Sequence, residues 1–199
     1  MSTQADSSLL RRVVAETFDQ HRRVLDDAAA QLPASVEAAA ELLCAAYRQG
    51  GKAILFGNGG SLTDALHIEG ELVGRFAIDR RGVAAVALGA PAAFTATAND
   101  YSYQDVFARM YEAHHRDGDV AIGLSTSGNS ENVVRALRKA REMGAKTIAL
   151  TGQGGGKCKD LADVCIAVPS DCTPRIQEVH ILVGHTLCDL VERALFAQP

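Results

Sequence analysis

The groups in this chain best suited to chemistry begin with an imidazole and a carboxylate, His67 and Glu71, spaced i and i+4. On a helix that spacing puts both on one face, where they could share a metal ion or act on one substrate; such a pair alone is more often a surface salt bridge or a cap interaction. Glu69 points about 160° away from Glu71 and falls outside that face. A second set, Gln177, His180 and His185, lies near the C-terminus. At the helical period His180 and His185 fall about 60° and about 80° to either side of Gln177, so spacing leaves open which histidine shares a site with it.

Two loops add binding chemistry. Gly57-Asn58-Gly59-Gly60-Ser61 and Ser125-Thr126-Ser127-Gly128-Asn129-Ser130 each follow an apolar strand-like run and lead into a helical stretch. Such loops offer backbone N–H groups, hydroxyls and the positive end of a helix dipole, a combination that suits phosphate. A strand-to-helix turn capped by Ser or Asn is the plainer alternative for either one. Two in one small domain favour a phosphorylated ligand. Nucleotide fingerprints fail on their letters: Leu62 and Lys157 stand where a dinucleotide motif needs its third glycine, and Gly51-Lys52 and Gly156-Lys157 are followed by Ala53 and Cys158 where a P-loop needs Ser or Thr. His114-His115 reads as a solvated helix end, and Cys158, Cys165 and Cys172 read as small packing residues.

The elements that must position these groups follow from periodicity. Apolar residues recur at three and four from Ser8 to Leu32, predicting a helix stopped by Pro33; a second runs from about Ala34 to Arg48, and together they predict a helical hairpin. Strands are expected at Ala53 to Phe56, Val83 to Leu88, Val120 to Leu124, Thr147 to Leu150 and Val164 to Val168, alternating with helices, and a last helix spans about Arg175 to Phe196. That alternation implies a parallel sheet with right-handed crossovers, hence a three-layer α/β/α sandwich with five strands. Ligands of such sheets bind beyond the C-terminal strand ends, where both loops fall. The 199 residues suggest one domain, 1–199, with 1–50 as an N-terminal helical extension.

Composition excludes several classes. Hydrophobic residues make up 47% and charged residues 22%, ordinary globular proportions, and a formal net charge of −4 gives no basic excess for nucleic acid. The five cysteines hold no C-x-x-C pair, which fits a reducing compartment. Neither a signal-peptide run at the start nor a membrane span is read, because the longest uncharged stretch, Gly82 to Asn99, is broken by Gly89 and Pro91. A cytoplasmic protein with no nucleic-acid or membrane partner is expected.

With these motifs in order, the sequence resembles the phosphoheptose isomerases, a branch of the sugar isomerase (SIS) domain family. The resemblance covers nearly the whole chain: Gly57 to Ser61, His67 to Phe76, Ala98-Asn99-Asp100, Leu124 to Asn132, Leu150-Thr151-Gly152, and Arg175-Ile176-Gln177-Glu178 with His180 and His185. It implies an aldose–ketose isomerase converting sedoheptulose 7-phosphate to D-glycero-D-manno-heptose 7-phosphate through a cis-enediol, the first step toward activated heptoses. The positions matching Ser125, Thr126, Ser127 and Ser130 would hold the phosphate. Those matching Asn58, Gly59, Gly60, Ser61, Asn99, Asp100 and Gln177 would line the sugar. His67, Glu71, Gln177 and His185 would hold one zinc ion per subunit, with Glu71 and His185 also base and acid, and the resemblance thereby favours His185 over His180. It further implies a homotetramer with sites at subunit boundaries.

Departures from the common family pattern at Leu62-Thr63 and Gly70 flank the site and bear on sugar specificity. The rival reading is a non-catalytic SIS-domain binding protein, either replication-initiator-associating or sugar-phosphate-sensing. The initiator-associating proteins lack the acid/base pair that Glu71 and His185 supply here. A sensor would need a DNA-binding module, and residues 1–50 carry five arginines against seven acids, a poor surface for DNA.

Overall fold

Helical spacing of apolar residues builds α1 (Ser7–Gln31) and α2 (Pro33–Arg48) in a computed structural model that describes residues 7–196. The hairpin expected from the sequence has no loop of its own. Leu32 keeps a helical conformation at the junction, its N–H bonding Ala28 O at 2.9 Å while its carbonyl accepts from Val36 N at 3.0 Å. Pro33, lacking an N–H, falls in the first turn of α2, where that donor is not needed. Residues 1–6 and 197–199, parts of the expected extension and domain, lie outside the described residues.

Beyond Arg48 the chain alternates β1 (Ala53–Gly57), α3 (Gly60–Val73), β2 (Ala85–Ala87), α4 (Pro91–Asp100), a 3-10 turn (Tyr103–Asp105), α5 (Val106–His114), β3 (Val120–Ser125), α6 (Glu131–Glu142), β4 (Lys146–Thr151), α7 (Gly156–Lys159), β5 (Val164–Ala167) and α8 (Thr173–Phe196). All strand pairs are parallel, in the order β2-β1-β3-β4-β5. The strands are apolar almost throughout because both faces are covered. Leu55, Ile122, Leu150 and Ile166 pack with residues of α2, α3 and α8. Ile54, Phe56, Ala121 and Ala149 pack with α5 and α6 through Phe107, Tyr111, Val133 and Leu137. This is the expected α/β/α sandwich.

Strand order reverses between β1 and β3, and at that point adjacent crossovers leave on opposite faces and open a crevice. Gly57 pairs in register with Leu124, so the two loops singled out in the sequence end level and flank the crevice.

Some local expectations change. His115 is buried at 6% exposure rather than solvated, because its ring stacks on Tyr111 and its Nδ1 lies 3.0 Å from the Tyr111 hydroxyl. Cys158 is packed inside as expected, but Cys172 is exposed, lying between β5 and α8 outside the layers. The apolar face of α1 is covered only near its end: Ala28 is buried, while Leu9, Leu10, Val13, Val14 and Phe18 are exposed, Phe18 to 69%.

Candidate active site

The phosphate-type loop after β3 is shaped by close backbone packing. Gly128 adopts φ 65°, and a Cβ there would sit 2.1 Å from Gly155 O, so only glycine fits. The Gly154–Gly156 turn is a buttress for this loop: Cys158 N donates to Gly128 O at 2.9 Å, and Lys157 N to Asn129 Oδ1 at 3.1 Å. Ser125, buried, donates its hydroxyl to Ser130 Oγ at 2.9 Å; Ser127 is exposed, and Thr126 and Ser130 are half-buried. Ser130 before α6 makes no side-chain capping bond, and Gly59 before α3 has no side chain to make one. Glu131, in the first turn of α6, is held to Arg135 at 3.1 Å, with Lys157 Nζ at 4.0 Å.

The loop after β1 is anchored from below. Asn58 and Asn132 exchange two amide bonds, Nδ2 to Oδ1 in each direction at 2.8 Å, and the Tyr103 hydroxyl donates to Asn58 Oδ1 at 2.8 Å. Gly59 turns the chain at φ 55°, and both Gly59 and Gly60 are exposed while Ser61 is buried. Asn99 and Asp100 are exposed at the end of α4, the Asn99 amide donating to Asp100 Oδ1 at 2.9 Å.

α3 leaves this loop and packs alongside α8. His67 and Glu71 share its exposed face, Nε2 to Oε1 at 3.3 Å, and His185 of α8 brings its Nε2 to 3.1 Å from that of His67. Ligand atoms of the three residues all lie within 4.8 Å of one another, a separation one cation could bridge. Phe76 covers the His185 ring at 5.5 Å between centroids. The backbone of Glu71 is fixed as well, its carbonyl accepting from Arg80 Nη2 at 2.9 Å, while Arg80 Nη1 takes Leu72 O at 2.8 Å and Gly74 O at 3.0 Å. Arg80 thereby satisfies the carbonyls that the end of α3 leaves free. Its guanidinium lies 2.8 Å from Glu192, a carboxylate with no exposure that also accepts the N–H groups of Phe76, Ala77 and Ile78. Burial works against the Glu192 charge, but these N–H groups and Arg80 outweigh it and hold the carboxyl below its usual range.

The other residues of α8 go elsewhere. His180 is completely buried with Nε2 3.1 Å from Thr151 O, and burial pushes its pKa down to about 4 despite that bond. The Gln177 amide lies over Gly60, where a Cβ would come within 2.6 Å of its Nε2. Gln177 and His185 are eight residues apart, about 12 Å along the helix, so within one chain the amide belongs to the sugar loop and the imidazole to the His67–Glu71 pair. Sequence reasoning passed over Asn132, Tyr103, Arg80, Glu192 and Asp64. An acid on the apolar face of α8 was the one available signal, and it marks Glu192. Asp64 lies one turn before His67 with a buried, unpartnered Oδ2, and burial raises its pKa against the pull of His67.

A parallel-sheet switch point flanked by a hydroxyl-lined loop and a glycine loop, with two imidazoles and a carboxylate clustered on the exposed seam of α3 and α8, fits a sugar-phosphate enzyme of the sugar isomerase class. The family model described as "SIS domain" matches residues 17–152. A phosphoheptose isomerase of Helicobacter pylori (strain P12) is 46% identical over 182 residues, covering 91% of this chain and 95% of that protein. One from Geobacter sp. (strain M21) is 48% identical over 177 residues, covering 88% and 92%. The solved phosphoheptose isomerase of Neisseria gonorrhoeae superposes with a TM-score of 0.88 at 41% identity, covering 92% of this chain and 98% of that one. The chain belongs to the SIS domain family and, within it, to the phosphoheptose isomerases. It is an aldose–ketose isomerase.

Proposed function

We propose that this enzyme converts sedoheptulose 7-phosphate to D-glycero-D-manno-heptose 7-phosphate, supplying the first step of activated-heptose synthesis. The observation that carries the reading is the meeting of Glu71 and His185, from two helices, on the exposed seam of α3 and α8. Ser125, Thr126, Ser127 and Ser130 bind the phosphate together with the N-terminus of α6. Asn58, Gly59, Gly60, Ser61, Asn99, Asp100 and Gln177 line the sugar. Glu71 takes a proton from C1 of the ketose and returns one to C2, while His185 delivers a proton to O2 and removes one from O1, so the exchange balances through a cis-enediol. The base must stand over both carbons, and the Arg80 bond to the Glu71 carbonyl limits its drift.

His67, Glu71 and His185 fit a divalent cation, zinc by their nitrogen and oxygen donors, since one ligand atom from each lies within 4.8 Å of the others. Bound there, zinc would polarise the substrate carbonyl and stabilise the negative charge of the enediolate. Gln177 completes that set only in the expected homotetramer with sites at subunit boundaries, because within one chain its amide lies over Gly60. The exposed apolar face of α1 supports such an assembly. A cytoplasmic location agrees with the five free cysteines and with the finding that no helix among the described residues is long and apolar enough to cross a membrane.

The test is incubation of the purified protein with several ketose phosphates in deuterated water, followed by NMR. Aldose phosphate carrying deuterium at C2 is expected from the heptulose phosphate. Binding without turnover of any ketose phosphate would replace the proposal by a sugar-phosphate-binding role.

A further inference from the structure

The geometry points to Asn132 as a positioning residue that locks the sugar loop to the phosphate-loop helix through Asn58. Asn132 is only 2% exposed and sits second in α6, just beyond Ser130, where it cannot touch a ligand in the crevice. Its Oδ1 accepts from the backbone N–H of Val133 at 3.0 Å, and a backbone N–H can only donate, which fixes the orientation of the amide. The Nδ2 group must then face Asn58 Oδ1, and the return bond from Asn58 Nδ2 to Asn132 Oδ1 closes a reciprocal pair, both at 2.8 Å. The Tyr103 hydroxyl fills the second acceptor site of Asn58 Oδ1 at 2.8 Å. Asn58 therefore keeps one Nδ2–H for a substrate, aimed by a neighbour 74 residues away in sequence. The phosphate and the reacting carbons sit at opposite ends of the sugar chain, so the distance between the two loops sets where those carbons fall relative to Glu71.

This rests on the reading of the Asn58 loop as the sugar-binding loop. In Asn132→Ala, kcat for sedoheptulose 7-phosphate is expected to fall roughly 10- to 100-fold, the cost of a misplacement near 1 Å, while binding of inorganic phosphate is retained. Asn132→Asp separates positioning from simple loss of packing. A protonated carboxyl offers one donor and one acceptor as the amide does, whereas a carboxylate offers acceptors only and repels Asn58 Oδ1. At position 132 the carboxylate would sit in the first turn of α6 with Val133 N–H and Asn58 Nδ2 as donors, which favour its ionised form, so kcat of Asn132→Asp should fall at least as far as that of Asn132→Ala although side-chain volume is kept.

Independently of turnover, the side-chain NH2 of Asn58 should be protected from hydrogen exchange in wild type and unprotected in Asn132→Ala. Wild-type kcat in Asn132→Ala or in Asn132→Asp would overturn the assignment. Absence of wild-type turnover would overturn the proposed function instead, and the exchange pattern of Asn58 would still decide the lock.

Discussion

His67 and His185 meet Nε2 to Nε2 at 3.1 Å across the seam between α3 and α8, although 118 residues separate them in sequence. At that distance one nitrogen must carry a hydrogen and the other a lone pair, or both lone pairs must turn toward a shared cation. Glu71 Oε1, 3.3 Å from His67 Nε2, completes the cluster.

Metal analysis of two histidine variants checks the cation site. His185→Ala should lose both zinc and activity, whereas His180→Ala, altering a ring buried against Thr151 O, should keep the metal. Equal zinc in His185→Ala and wild type would restrict His185 to proton transfer.

Glu71→Gln keeps the size of the side chain but removes the proposed base. Turnover and exchange of the C1 hydrogen with solvent should fall by about 10² to 10⁴, the usual worth of a positioned base, with ligand binding retained. Isotope exchange followed by NMR measures both, and activity within about tenfold of wild type would shift the base to another residue.

The loop Ser125 to Ser130 contains neither lysine nor arginine, so the proposed phosphate site relies on hydroxyls and backbone N–H groups. Removing the hydroxyls of Ser127 and Ser130 together should weaken a phosphorylated sugar by about 2 kcal/mol or more, given about 1.5–3 kcal/mol for each charge-assisted bond and some replacement by water. Calorimetric titration reads the change, and an unaltered Kd would place the phosphate elsewhere.

Glu192→Ala strands the Arg80 guanidinium, whose side chain is 2% exposed, and frees three N–H groups of the Phe76–Ile78 segment. Loss of one partner of a buried ion pair costs about 3–5 kcal/mol, so denaturant unfolding should show destabilisation of that size. A loss under about 1 kcal/mol would mean that the pair behaves like an exposed one.

His180 gives the fold a defined acid sensitivity. Its folded pKa, pushed down by burial to about 4, lies below the unfolded value of about 6.5, so the unfolded chain binds the proton first. The group costs nothing above the unfolded value; stability is lost as pH falls between the two values, by roughly 3 kcal/mol in all, and the loss levels off below the folded one. A His180→Gln variant should show a shallower decline of Tm between pH 6.5 and pH 4, whatever its stability at pH 7. Parallel Tm profiles for the two proteins would assign the acid sensitivity to other groups.

What the sequence settled on its own was local. Helical and strand periods, with Pro33 and the glycine turns, are set by neighbours a few residues apart, and they placed all five strands within two residues of their observed ends. The two ligand loops and the His67–Glu71 pair were legible for the same reason, since each is a short motif whose side chains meet within one turn. Spacing alone left His180 and His185 equivalent, and resemblance favoured His185. The tertiary structure placed His185 beside His67 and buried His180, because only the packing of α8 against both α3 and the sheet decides which face of α8 meets which neighbour. It also seated Gln177 over Gly60, joined Asn132 to Asn58 and hid Glu192 with Arg80. These contacts cross the strand order β2-β1-β3-β4-β5, which no residue periodicity encodes, since it depends on how the crossovers pack and not on any segment by itself.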